Sequence, residues 1–165
     1  MSADQSYDPN VVIKAADAKL AANDVQGGQT LFQMSLFNWV DDAQFGDGSR
    51  NIDQLREAIA TLWISYAHYL QKAKQFKSSN EAYEDATKCP LSGNVGRIWL
   101  DYARFFEDRG KVRSAQQVYL RALVGDKHDN GNKEAGGKVK DEQDRTLLWS
   151  EFLKMMQTKQ PEKQK

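Results

Sequence analysis

The stretch Leu62-Trp63-Ile64-Ser65-Tyr66-Ala67-His68-Tyr69-Leu70 returns as Ile98-Trp99-Leu100-Asp101-Tyr102-Ala103-Arg104-Phe105-Phe106, with Trp63 and Trp99 36 positions apart. A third copy is Leu148-Trp149-Ser150-Glu151-Phe152-Leu153-Lys154-Met155-Met156. Self-similarity at such a period marks stacked supersecondary units, each too small to bury its apolar face alone. Trp63, Tyr66, Ala67 and Leu70 fall at i, i+3, i+4 and i+7. Trp99, Tyr102, Ala103 and Phe106 do the same, as do Trp149, Phe152, Leu153 and Met156. That spacing aligns four side chains along one stripe of an α-helix.

Working outward, each tryptophan segment is followed by a second one. Tyr83 stands 20 positions after Trp63, and Tyr119 stands 20 after Trp99. Ala115, Val118, Tyr119 and Ala122 form a second helical stripe, and Gly110 between the two parts can end a helix in the left-handed region. Each unit therefore reads as an antiparallel helical hairpin. Large rings on the first helix meet small residues such as Ala82, Ala86 and Ala115 on the second, which lets helix axes approach to about 8–10 Å. The expected fold is all-α, an α-solenoid of stacked hairpins with about seven helices. Its repeat core is Trp63, Tyr66, Tyr83, Trp99, Tyr102, Tyr119 and Trp149.

The remaining elements follow from breakers and caps. Residues 1–8 read as a disordered polar tail, and residues 9–50 as an N-terminal helical pair, a degenerate repeat or a cap. Asp8-Pro9 opens a helix running to about Asn23. Gln26-Gly27-Gly28 breaks it, and a second helix is predicted from Thr30 to about Ala43. That helix is rich in apolar residues and is expected to be buried on more than one side. A turn-rich loop over 45–50 leads to Asn51, which is placed to cap a helix over 53–74. Helices are predicted at 77–88, stopped by Cys89-Pro90, and at 97–109 and 112–124. Repeats thus fill 51–158, interrupted by a polar, glycine-rich segment at 125–140 read as a mobile loop. It accounts for the longer Trp99-to-Trp149 spacing of 50. The final helix, over 142–157, either caps the stack or continues into a longer array; residues 159–165 are a polar tail.

These residues resemble the half-a-TPR (HAT) repeat, whose first helix carries Trp-x-x-Tyr, then Glu and Gly, and whose second carries Ala-Arg-x-Ile/Val-Tyr-Glu-Arg-Ala-Leu and a Pro. Trp99, Tyr102, Glu107, Gly110, Ala115, Val118, Tyr119, Arg121, Ala122 and Leu123 match it. The unit before keeps Trp63, Tyr66, Tyr83, Glu84, Ala86 and Pro90 but has Gln71 for the Glu and Lys74 for the Gly. About residues 52–157 are covered. The resemblance implies a scaffold subunit of an RNA-processing assembly (splicing, 3′-end or ribosomal RNA), binding other protein subunits in the nucleus. A tetratricopeptide-type adaptor that captures a peptide tail, in a chaperone or kinetochore assembly, is the alternative.

Composition bounds the rest. Charge is balanced, 23 basic against 23 acidic residues, so no global attraction to nucleic acid exists. The single Cys89 forbids an intrachain disulfide and, with no signal peptide in evidence, favours a reducing intracellular compartment. No apolar run nears the roughly 20 residues of a membrane span. His68 and His128 are scattered and have no recognisable nucleophile, so no catalysis, metal or cofactor is expected. Asp126-x-His128-x-Asn130-Gly131 resembles the start of a calcium loop, but Gly137 stands where a bidentate Glu is needed. Gly131 to Lys138 has neither the spacing nor the Ser/Thr of a phosphate loop. Lys72, Lys74 and Lys77 cluster at one hairpin turn, and Arg109, Lys111 and Arg113 at the equivalent turn of the next unit. Stacked, they would make a basic ridge able to contact an RNA backbone or an acidic partner; a plain solvated edge is the simpler reading.

Overall fold

One backbone device closes three successive pairs of helices. The computed structural model describes residues 7–46, 48, 51–125 and 137–158. Helices α1 (Pro9–Ala21), α2 (Val25–Phe45), α3 (Ile52–Lys72), α4 (Phe76–Lys88), α5 (Gly96–Asp108), α6 (Val112–Leu123) and α7 (Glu142–Thr158) follow in order. Among the described residues the protein is all-helical, with seven helices and no strand. In the α1–α2 turn, Asn23 N–H donates to Leu20 O and Asp24 N–H to Lys19 O, at 2.9 and 2.8 Å. Between α3 and α4, Lys74 and Gln75 bond in the same way to Gln71 and Leu70, at 3.0 and 2.8 Å. Between α5 and α6, Gly110 and Lys111 bond to Glu107 and Phe106, at 3.0 and 2.8 Å. Each turn is a Schellman motif, with Asn23, Lys74 and Gly110 in the left-handed region at φ 68°, 63° and 74°.

The chain divides into two compact units, Met1–Ser92 and Gly93–Lys165. In the first, α3 packs on α1, α2 and α4. Asn51 starts it by accepting from the Asp53 and Gln54 amides at 3.0 and 3.2 Å. Leu55, Ile59, Leu62, Tyr66, Tyr69 and Leu70 are buried. Phe32 of α2 stacks on Tyr66 with ring centres 5.3 Å apart. The buried Ser79 hydroxyl of α4 donates to Ala67 O at 3.0 Å, satisfying a polar group inside the hairpin.

Three expectations for this unit change. Gly27 and Gly28 do not break a helix; they lie in the first turn of α2, which Asp24 caps by accepting from Gly27 N–H at 2.8 Å. Gly28 is there for close approach. A Cβ on it would overlap the Tyr69 hydroxyl, which donates to Val25 O at 2.8 Å. Helix α2 is also not buried on more than one side. Only Gly28, Phe32 and Leu36 are buried along it, while Met34, Phe37 and Phe45 are exposed. The tail read over 1–8 lies outside the described residues through position 6. Tyr7 packs edge-on against Trp39 and donates to Asp42 at 2.8 Å, and Asp8 caps α1.

The second unit packs α5, α6 and α7 mutually. Trp99 is 0% exposed; its indole N–H donates to Gly93 O at 2.8 Å, and the Arg121 guanidinium lies 5.2 Å from its ring centre. Tyr119 stacks on Phe152 at 5.1 Å and donates its hydroxyl to Glu107 at 2.9 Å. At the equivalent place in the first unit, Gln71 donates to the Tyr83 hydroxyl at 3.3 Å. Arg104 and Glu151 pair at 3.1 Å, linking α5 to α7.

Two more expectations change here. Of the predicted stripe on α7 only Phe152 is buried, beside Leu148 and Met155, and Trp149 is 38% exposed. The same face is buried in α3 (Leu62, Tyr66, Tyr69) and in α5 (Ile98, Tyr102, Phe105), so α7 keeps their register while Leu147, Trp149 and Leu153 stay exposed. Of the segment read as a mobile loop, 126–136 lie outside the described residues. Its last part is packed, because Val139 is fully buried and its N–H donates to Ala122 O at 3.0 Å.

Candidate functional site

The exposed side of α2 forms one wall of a groove in the first unit. Its volume is about 590 Å³. Leu36, Phe37, Val40 and Phe45 of α2 face Ala82 of α4 and the Cys89-Pro90 segment, with Trp63 and Tyr66 of α3 between them. Phe37 and Phe45 are 71% and 76% exposed, far more than an isolated apolar side chain needs to be. Gln29, Gln33 and Gln44 line the same groove.

Its charge is one-sided. Among the described residues, Asp41, Glu81 and Asp85 line it against a single ammonium, Lys88. On a chain with no net charge, this is local acidity. The pKa of Asp85 is raised above the usual carboxylate value, chiefly because its carboxyl loses water against the groove wall, with Glu81 and Glu84 adding repulsion and Lys88 opposing. The Tyr66 hydroxyl is likewise pushed up by burial, while hydrogen bonds from Gln29 and Gln33 pull the other way.

Trp63 shows what the groove lacks. Trp99, 36 positions later, donates its indole N–H to a carbonyl of the loop before α5. The position equivalent to Gly93 in the first unit is Glu57, inside the longer helix α3, so no loop carbonyl is available there. The Trp63 Nε1 is buried, and among the described residues no acceptor reaches it. Such a donor costs about 1–3 kcal/mol.

Of the predicted core set, Tyr66, Tyr83, Trp99, Tyr102 and Tyr119 are buried, Trp63 lines the groove, and Trp149 is partly exposed. The six basic residues are all exposed at their hairpin turns: Lys72, Lys74 and Lys77 in the first unit, Arg109, Lys111 and Arg113 in the second. Lys72 pairs with Asp17 at 3.0 Å, and Arg109 lies 5.7 Å from the Phe105 ring centre. His68 is exposed and Cys89 is buried and unbridged. His128 and the calcium-like residues lie outside the described residues. Among the described residues no cluster of His, Cys, Asp or Glu could hold a metal ion, and no helix is long and apolar enough to cross a membrane.

Sequence reasoning missed the groove residues Phe37, Phe45, Asp41, Glu81 and Asp85. The available signal was a surface helix with apolar residues around its whole circumference, read as deep burial when it also fits a docking face. Compared with known proteins, the chain matches no protein-family model, no curated protein and no solved structure.

Proposed function

We propose that this protein is a non-catalytic scaffold, an array of helical hairpins that holds other protein subunits. The observation that carries the reading is the uncovered apolar groove of the first unit, flanked by Phe37 and Phe45. Contiguous apolar surface of this kind is a mark of an interaction site. The three hairpins closed by one type of turn fit an array of TPR-like units. The HAT resemblance supplies the setting, a nuclear RNA-processing assembly, and an RNA contact would fall to the exposed turns carrying Lys72, Lys74, Lys77, Arg109, Lys111 and Arg113. The acidic rim of the groove disfavours the alternative of an adaptor that clamps a terminal carboxylate.

The test is purification of the tagged protein from its own cells, with and without nuclease. Protein subunits of an RNA-processing assembly that stay bound after nuclease treatment support the scaffold. Recovery of chaperones supports the adaptor, and loss of every partner on nuclease treatment supports direct RNA binding. A protein that purifies alone in both arms overturns the reading.

A further inference from the structure

Resting on the scaffold reading, we infer that the groove between α2 and α4 takes an amphipathic helix of a partner protein, with an apolar face flanked by Lys or Arg. Three features define that occupant. The trough has helical walls and a helical floor, and its 590 Å³ accommodates a few apolar side chains, the number that one helix face presents at i, i+3, i+4 and i+7. Among the described residues the carboxylates of Asp41, Glu81 and Asp85 face one ammonium, Lys88, so a helix with basic flanks is complementary and an acidic one is repelled. The Trp63 ring lines the trough, and its indole N–H, buried with no acceptor among the described residues, meets a partner oxygen only when the ring tilts toward the occupant. An anionic ligand, RNA included, meets the wrong charge in this groove.

The two hairpin units treat the same indole differently, and that gives the inference its sharpest form. In the second, Trp99 is closed over and bonded to Gly93 within its own unit. In the first, the bond is missing and the ring lines the surface trough. Recognition is therefore assigned to Trp63 and structural support to Trp99.

A designed helical peptide with Leu at i, i+3, i+4 and i+7 and Lys along both flanks is the probe, titrated against the whole protein. The control carries Glu in place of each Lys. The Lys peptide should bind, and at least about tenfold tighter than the Glu peptide. The double substitution Glu81→Lys and Asp85→Lys, at two exposed positions, should reverse that preference with the fold unchanged by circular dichroism. Phe37→Ala should weaken the Lys peptide by roughly tenfold, and Trp63→Phe by a similar factor with no loss of melting temperature. Equal binding of both peptides, or binding untouched by the charge reversal, overturns the inference. So does a homodimer, dissolved by that reversal, which would make a second copy the occupant. The same variant separates this inference from the broader reading. If it keeps every partner of the wild type in cell extracts, the groove inference fails and the scaffold stands; if the wild type has no partner, the scaffold itself fails.

Discussion

Trp63 and Trp99 begin helical stripes of identical spacing and end in different surroundings. The spacing of their neighbours is legible because a stripe at i, i+3, i+4 and i+7 has only one helical reading; where each indole N–H finds an acceptor depends on the residue 6 positions earlier, a loop glycine in one case and a helical Glu57 in the other. Trp99→Ala should cost about 3–5 kcal/mol, since it leaves a cavity in a well-packed site and removes the ring under Arg121. A chemical-denaturation midpoint unchanged from wild type would contradict that placement. Tyr119 offers a second check, through pH. Burial first, then the hydrogen bond to Glu107, raise its pKa above the ordinary tyrosine value. The folded state therefore holds this proton more tightly than the unfolded chain does. The associated stability is complete below about pH 10 and declines as pH climbs through the window above it. Tyr119→Phe should be less stable at neutral pH yet lose less between pH 9 and 11 than the wild type, as followed by melting curves (roughly 1 kcal/mol for the hydrogen bond).

At the scale of elements, the Schellman turns explain both what could be read and what could not. Gly110 announces its turn, because glycine enters the left-handed region without a Cβ penalty. Asn23, an amide residue that tolerates the same conformation, gives a weaker signal and Lys74 gives none; Gly27 and Gly28 draw the expected break a few residues too far along the chain. Nothing lies within 4 Å of a Cβ built on Gly110, so Gly110→Ala isolates the backbone term and should cost about 1 kcal/mol. Lys74→Gly should gain about as much in the other unit, both read as shifts in melting temperature; movement in the opposite direction would show the turn geometry to be wrong. Gly28→Ala has a different outcome. A methyl group there meets the Tyr69 hydroxyl, and the variant should lose the packing of α2 on α3, seen as faster amide exchange along α2. The exposure of Trp149 is illegible for another reason: its stripe repeats that of the fully buried Trp99, and no local pattern says which flank of α7 another helix covers.

For the molecule as a whole, the all-helical class and the order of its elements follow from periodicity and punctuation. The groove does not, because its residues come from α2, α3 and α4, and no local pattern ties Phe45 to Cys89 or Asp41 to Asp85. Its acidity is equally hidden in a balanced total charge. The basic turns make a prediction at this scale. If Lys111 and Arg113 touch an RNA backbone, changing both to Glu should flatten the dependence of log affinity on log salt by about 1.4 for a generic single strand. An unchanged slope assigns them to solvent. Two indoles at matching positions need not share a duty: the bond to Gly93 commits Trp99 to holding its own unit together, whereas Trp63, without such a bond, can be exchanged at little cost to the architecture.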